Sequence, residues 1–314
     1  MSDTQRIPRR TLSNETGYTL IELLISMGVL LVVSGMVVNG TMDLTRLSGT
    51  VTNRSDMHAG IRNATALLQQ EVGQAGRVSL PGPVTLATDV AIGVATVQVS
   101  STGGMFVGEK LLIGTGVNAE TVTVTALDPG ANLITANFDL AHIAGSRVTA
   151  PGGFSAGVIP TTIPNGSDGM TLKVLGDING DGRMVYVEYR CDLAGGRLFR
   201  NAMPFDAAVK PAVTVEQVLL DNLLANPPNP DGTVPPCFIY DQRTFSGTTF
   251  VIGVAIMTTV RTHDRDAYTK DFQRVTKALL NVSPRNVVNV WQLASLDYRN
   301  RIQPIPPTVV ALLP

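Results

Sequence analysis

The sequence predicts an α+β chain: one long N-terminal helix that crosses a membrane and continues as a spine, packed on an antiparallel β-sheet, with a small all-β module inserted between them. Three observations predict it. Residues 18 to 38 read YTLIELLISMGVLLVVSGMVV with a single charge, an apolar stripe at helical spacing continues to about Arg77, and beyond Arg77 the chain turns to short alternating runs rich in Val, Thr, Gly and Pro. The 314 residues suggest about two domains. Only 16% are charged, against about 25% in ordinary soluble chains, while 44% are hydrophobic, which excludes disorder for most of the length. A net charge of -1 lacks the basic excess that binding a phosphate backbone needs, so nucleic acid is not an expected partner. Two cysteines are too few for a disulfide scaffold or a zinc site.

The apolar run at residues 18–38 is long enough to span about 30 Å of hydrocarbon at 1.5 Å per residue. Arg6, Arg9 and Arg10 precede it, so the positive-inside rule places residues 1–17 in the cytoplasm and the bulk of the chain outside. A cleaved secretory signal has a shorter apolar core and a small-x-small site, and SGMVVNGTMD supplies none of the usual kind. Glu22 is the anomaly. An acidic side chain in mid-membrane costs about 2.5–3.5 kcal/mol, so it normally has a partner or a role, the plain alternative being a tolerated position at the interface.

Gly17, Tyr18, Thr19, Leu20, Ile21 and Glu22, after a short basic leader and before about twenty apolar residues, resemble the class III signal of type IV prepilins. The resemblance implies that prepilin peptidase cuts after Gly17 on the cytoplasmic face and methylates the new N-terminus at Tyr18, where Phe is the commoner residue. It implies that Glu22 then pairs with the freed amine of a neighbouring subunit; two charges about 4 Å apart attract by about 4 kcal/mol at an effective dielectric of 20. It also implies a single-pass protein of the bacterial inner membrane with its C-terminal domain in the periplasm. Its expected partners are other minor pilins, a major pilin, the inner-membrane assembly platform and membrane lipid.

Past the membrane, Leu44, Leu47, Val51, Ile61, Ala64, Leu67, Leu68 and Val72 recur mostly at intervals of three and four, extending the helix over residues 18–77. Gly49, Gly60 and Gly73 each cost about 1 kcal/mol relative to Ala and favour a bend or a melted turn in its middle. Ala75 to Arg77 resembles the helix end of PilW-like minor pilins. Residues 84–150 form short alternating strands broken by Gly and Asp-Pro-Gly turns, read as the inserted module, in which a lone His142 is a hydrogen-bonding residue rather than a ligand.

Residues 151–303 return to longer strands. VYVEYRCDLAGGRLFRN and NVSPRNV resemble stretches of PilW-like minor pilins and of J-type minor pseudopilins of type II secretion, implying a pilin-type β domain. The Pro-rich tail, residues 304–314, reads as mobile or extended.

Asp177, Asn179, Asp181, Gly182 and Glu188 satisfy the EF-hand pattern, yet the flanks alternate as strands and carry Glu188 roughly 20 Å away. Asp177, Asn179 and Asp181 remain as a candidate Ca2+ turn, with an Asx-rich hairpin turn as the alternative. Gly153-Phe154-Ser155-Ala156-Gly157 has the spacing of a nucleophile elbow without the strand-to-helix context, and His263, Asp264 and Asp266 read as a solvated loop. Cys191 and Cys237 are the one candidate disulfide, with bridged and free states both open. The expected function is a minor pilin that primes or tips a type IV pilus and is not an enzyme; the alternatives are a type II secretion pseudopilin and a pilus-displayed adhesin whose β insert binds a ligand.

Overall fold

A computed structural model describes residues 17–314, so the leader expected at residues 1–16 lies outside the described residues. Helix α1, Leu20–Gln74, is a single element of 55 residues, about 82 Å long. Its N-terminal part is exposed on every side, whereas Ile61, Ala64, Leu68 and Val72 are buried. The middle does not melt at Gly49 or Gly60, contrary to the sequence expectation. A brace explains this: Asn53 donates to the Asp264 carbonyl at 2.8 Å and accepts from the His263 amide at 3.1 Å. The loop read as merely solvated therefore holds the exposed side of α1.

The buried half of α1 packs across two antiparallel sheets. One orders Val218–Asp221, Arg197–Pro204, Val185–Asp192 and Thr171–Gly176; the other places the long strand Thr248–Arg261 between Phe238–Phe245 and Arg274–Val282, with Leu223–Leu224 also paired to it. Val174, Val187, Tyr189 and Leu198 from the first sheet meet Val254, Ile256 and Val260 from the second around Leu68 and Val72. Alternation of buried and exposed positions along Val185–Asp192 and Arg197–Pro204 follows the two-residue period of a half-buried strand. Cys191 and Cys237 are disulfide-bonded with Cα atoms 6.7 Å apart, joining the two sheets.

Residues 84–149 build two small sheets with their own core, which includes Leu86, Val97, Leu111, Ile113, Ile134 and Phe138. This insert meets the body at a tight seam. Phe106 lies 6.0 Å from Phe154 and 6.1 Å from Phe205, centroid to centroid. The buried Gln303 amide completes the seam, accepting from the Lys110 amide at 2.9 Å and donating to the Lys110 and Pro151 carbonyls at 2.8 and 3.0 Å.

The chain end departs from expectation. Residues after Arg301 are not an extended tail: Ile302–Gln303 pairs in parallel with Gly153–Phe154, and Pro307–Leu312 forms a short helix, α3 once the intervening helix α2, Arg285–Ser295, is counted. Three apolar anchors, Val309, Leu312 and Leu313, enter the core with Phe154, Tyr186 and Met203, and buried Lys173 donates to the Leu313 carbonyl at 2.6 Å. Pro307 at the first helical turn sacrifices no hydrogen bond there, so proline content was no barrier to order.

Candidate processing and assembly site

The N-terminal site is built on the first turn of α1. Thr19 is the N-cap, with extended backbone, and its hydroxyl accepts from the Glu22 amide at 3.3 Å. The Glu22 carboxylate reaches back to accept from the Thr19 amide at 3.3 Å, closing a capping box. Two otherwise orphaned donors are thereby satisfied, and the carboxylate lies at the positive end of the helix dipole. The Gly17–Tyr18 bond precedes this cap in non-helical backbone; Tyr18 is 88% exposed and nothing crowds Gly17. The peptide is thus open to a peptidase, while Glu22 is held four residues downstream. From Leu20 through Val51 the large apolar side chains of α1 are exposed, and its most apolar 18-residue window has a mean hydropathy of 2.4. A surface of that kind and length requires lipid or other helices around it.

The far end of α1 is fixed by close backbone crossings. Gly76 has φ +85°, its amide donates to the Leu175 carbonyl at 2.8 Å, and its carbonyl accepts from the Phe154 amide at 2.9 Å. A Cβ on Gly157 or Gly153 would collide with the Gly76 backbone. The Gly153–Gly157 motif is therefore a saddle for the helix end rather than a nucleophile elbow, and Ser155 stands in the turn just after the short strand Gly153–Phe154 that pairs with Ile302–Gln303. Asn286, at the start of α2, donates to the Gln74 carbonyl at 3.0 Å.

The acidic turn serves the same joint. Asp177 is fully buried and accepts from Ser79 Oγ at 2.7 Å, from the Asp181 amide at 3.1 Å and from the Gly182 amide at 3.2 Å, with Arg77 Nε at 3.5 Å. Asn179 and Asp181 are exposed, and Asp181 accepts from its own loop at the Arg183 amide. Glu188 binds Lys210 at 2.7 Å and Tyr186, away from the turn. The three residues of the candidate Ca2+ turn are thus split between core and solvent; Asp181 makes the bond to the amide two residues on that defines an Asx turn, while Asp177 reaches the amides four and five residues on. Among the described residues no group of three or more His, Cys, Asp or Glu is placed to hold a metal.

Two groups that the pattern did not reveal stand inside the body. Buried Glu71 of α1 accepts from Arg200 Nη2 at 2.5 Å and from the Tyr189 hydroxyl, anchoring the helix to the first sheet; burial, then the Glu71 charge, raise the Tyr189 pKa. Glu109 is buried at the insert seam, where its Oε2 accepts from the Phe106 amide at 3.2 Å while Oε1 has no partner among the described residues. Burial pushes its carboxyl up to about 8. His142 bonds Glu120 Oε1 at 2.6 Å within the insert.

Residues 12–38 match the prokaryotic N-terminal methylation motif. The match spans Gly17, Tyr18, Glu22 and the apolar start of α1. No curated protein matches the chain. The methylation motif together with the long apolar helix fits a type IV pilin-like or pseudopilin chain, a substrate of prepilin peptidase and a structural subunit. Membrane anchoring followed by assembly with pilin machinery fits the same two features.

Proposed function

We propose that the chain is a minor pilin that primes assembly or forms the tip of a type IV pilus. In this reading prepilin peptidase cuts after Gly17 and methylates Tyr18, and residues 18–38 hold the subunit in the inner membrane with its body in the periplasm. The subunit then joins other minor pilins and the major pilin at the assembly platform, with Glu22 exchanging its own cap for the amine of a neighbour.

The observation that carries the terminal position is where the insert attaches. It leaves and rejoins the body at the C-terminal end of α1, where Arg77 bridges Gly153, a helix length away from Tyr18. A subunit at the end of a stack has no neighbour above it, so added bulk at that end is tolerated there and obstructs stacking elsewhere. Ile92, Val94, Val117 and Ile143, exposed on the insert, support display of a contact surface at a tip, the adhesin variant of the same reading.

The test begins with the intact mass and N-terminal sequence of the membrane-extracted protein from cells with and without functional prepilin peptidase. A chain starting at N-methylated Tyr18 only in peptidase-positive cells is expected; an uncut chain in both sinks the assembly role. Deleting the gene then separates a pilus from a secretion pseudopilus: loss of surface filaments is expected, and loss of secreted enzymes with filaments intact would transfer the protein to type II secretion.

A further inference from the structure

We propose that a cleft at the seam between insert and body binds a monosaccharide-sized ligand carrying one carboxylate. The cleft has a volume of about 280 Å³ and is lined by Lys110 of the insert, Arg299, Ser155, Ser246, Phe245 and Phe250, among others. No Asp or Glu lines it. Lys110 lines the cleft and its ammonium has one protein partner among the described residues, the Arg299 carbonyl at 2.6 Å; partial burial lowers its pKa, so an arriving anion relieves a desolvated cation. Arg299 donates to Ser246 Oγ at 3.1 Å and is offset by Asp297 at 3.1 Å, an exposed residue outside the lining.

About one positive charge is therefore left uncompensated, which matches a monoanion better than a dianion. Ser155 is 9% exposed and its hydroxyl makes no hydrogen bond among the described residues, so a donor and acceptor wait at the wall of the cleft. Half-buried Phe245 supplies an apolar face on which a ring can lie, with Phe250 buried behind it. Charge, an unengaged hydroxyl and an aromatic wall together select a carboxylate attached to a compact ring, the shared chemistry of an acidic sugar and of a peptide C-terminus ending in an aromatic residue.

Trp291, the single tryptophan, packs against the Phe250 and Ala294 cluster with Phe245 and Ile302, and so reports on the cleft by its fluorescence. The full chain in detergent is titrated with sodium D-glucuronate against D-glucose, and with N-acetyl-L-phenylalanine against its amide. At least one acid is expected to change Trp291 emission saturably while its neutral counterpart does not, and the acid that does so names the source. Lys110→Gln is expected to weaken that acid about tenfold or more. Arg299→Gln gives the same direction if the first variant melts early, and Lys210→Gln, in the loop after Arg197–Pro204 where it pairs with Glu188, leaves affinity unchanged. The proposal fails if neither acid alters the emission, or if the acid binds Lys110→Gln and Arg299→Gln as tightly as the parent. The titration is independent of N-terminal processing, so its failure would not touch the pilin reading.

Discussion

Asn286 caps a helix to which it is not adjacent: its side-chain amide donates to the Gln74 carbonyl at 3.0 Å and to the Ala75 carbonyl at 3.3 Å. The last carbonyls of α1 have no partners within the helix, and α1 carries no basic residue in its last turn. Replacing Asn286 with Ala is expected to destabilise the body by about 1–2 kcal/mol, read as a lower midpoint in denaturant melts of the detergent-solubilised chain. Asp at the same position is expected to be worse, since it sets an acceptor against two carbonyls and a negative charge at the negative end of the helix.

Glu71 ties α1 to the first sheet through Arg200 and Tyr189. Glu71→Ala leaves Arg200 without its partner and a phenol without an acceptor, and is expected to cost about 3–5 kcal/mol. Glu71→Leu with Arg200→Leu is expected to recover most of that loss, because removing both charges also removes the desolvation penalty. A double-mutant cycle on thermal melts checks it; equal losses in single and double variants would show that packing rather than the pair is at stake.

Glu109 makes stability depend on pH with a definite sign. Its folded pKa of about 8 stands above its ordinary value of 4.5. In between, the unfolded chain has released the proton and the folded chain retains it, so stability falls as pH rises through the window, by up to about 1.4 kcal/mol per unit, and levels above it. Glu109→Gln is expected to remove that slope and to exceed the parent in stability near pH 8, a difference measurable by melting both proteins between about pH 5 and pH 9. Parallel curves for the two proteins would show that the carboxyl is ionised at the seam.

How much of this was legible beforehand depended on the range of the interaction. The membrane segment and Glu22 are local, since lipid demands about twenty apolar residues in a row and makes a charge among them conspicuous. The turn Asp177–Asp181 has calcium spacing, but the direction of the Asp177 carboxylate is set by Ser79, 98 residues away, which no short pattern encodes. Gly157 belongs to a hydrolase-like string, yet what requires a glycine there is the Gly76 backbone. In the tail, proline content masks the apolar anchors Val309, Leu312 and Leu313, because their partners Phe154 and Tyr186 lie far upstream.

The Cys191–Cys237 bond joins the two sheets across 46 residues. Closing a loop of that length is worth about 4 kcal/mol in chain entropy, so reduction or a Cys191→Ser, Cys237→Ser double substitution is expected to lower stability by about that amount. Added Ca2+ or EDTA is expected to leave the melting temperature unchanged, because protein donors already occupy both Asp177 oxygens. A Ca2+-dependent rise in Tm would show that the turn takes the ion.

Glu22 has two separable roles. In the single chain it closes the capping box with Thr19; in a filament it is proposed to pair with the amine of a neighbouring Tyr18. Thr19→Ala removes the hydroxyl cap, a loss of about 1 kcal/mol of helix stability, but leaves the carboxylate. Glu22→Ala removes the carboxylate and its half of the capping box, while the Thr19 hydroxyl still caps the backbone amide at position 22. If the charge between subunits drives assembly, both variants are cleaved after Gly17, Thr19→Ala is recovered in sheared filaments and Glu22→Ala stays in the membrane fraction. Loss of both variants from the sheared filaments would mean that the capping box, not the charge pair, is what assembly requires, and Glu22→Gln, which keeps the box, would then assemble as the parent does.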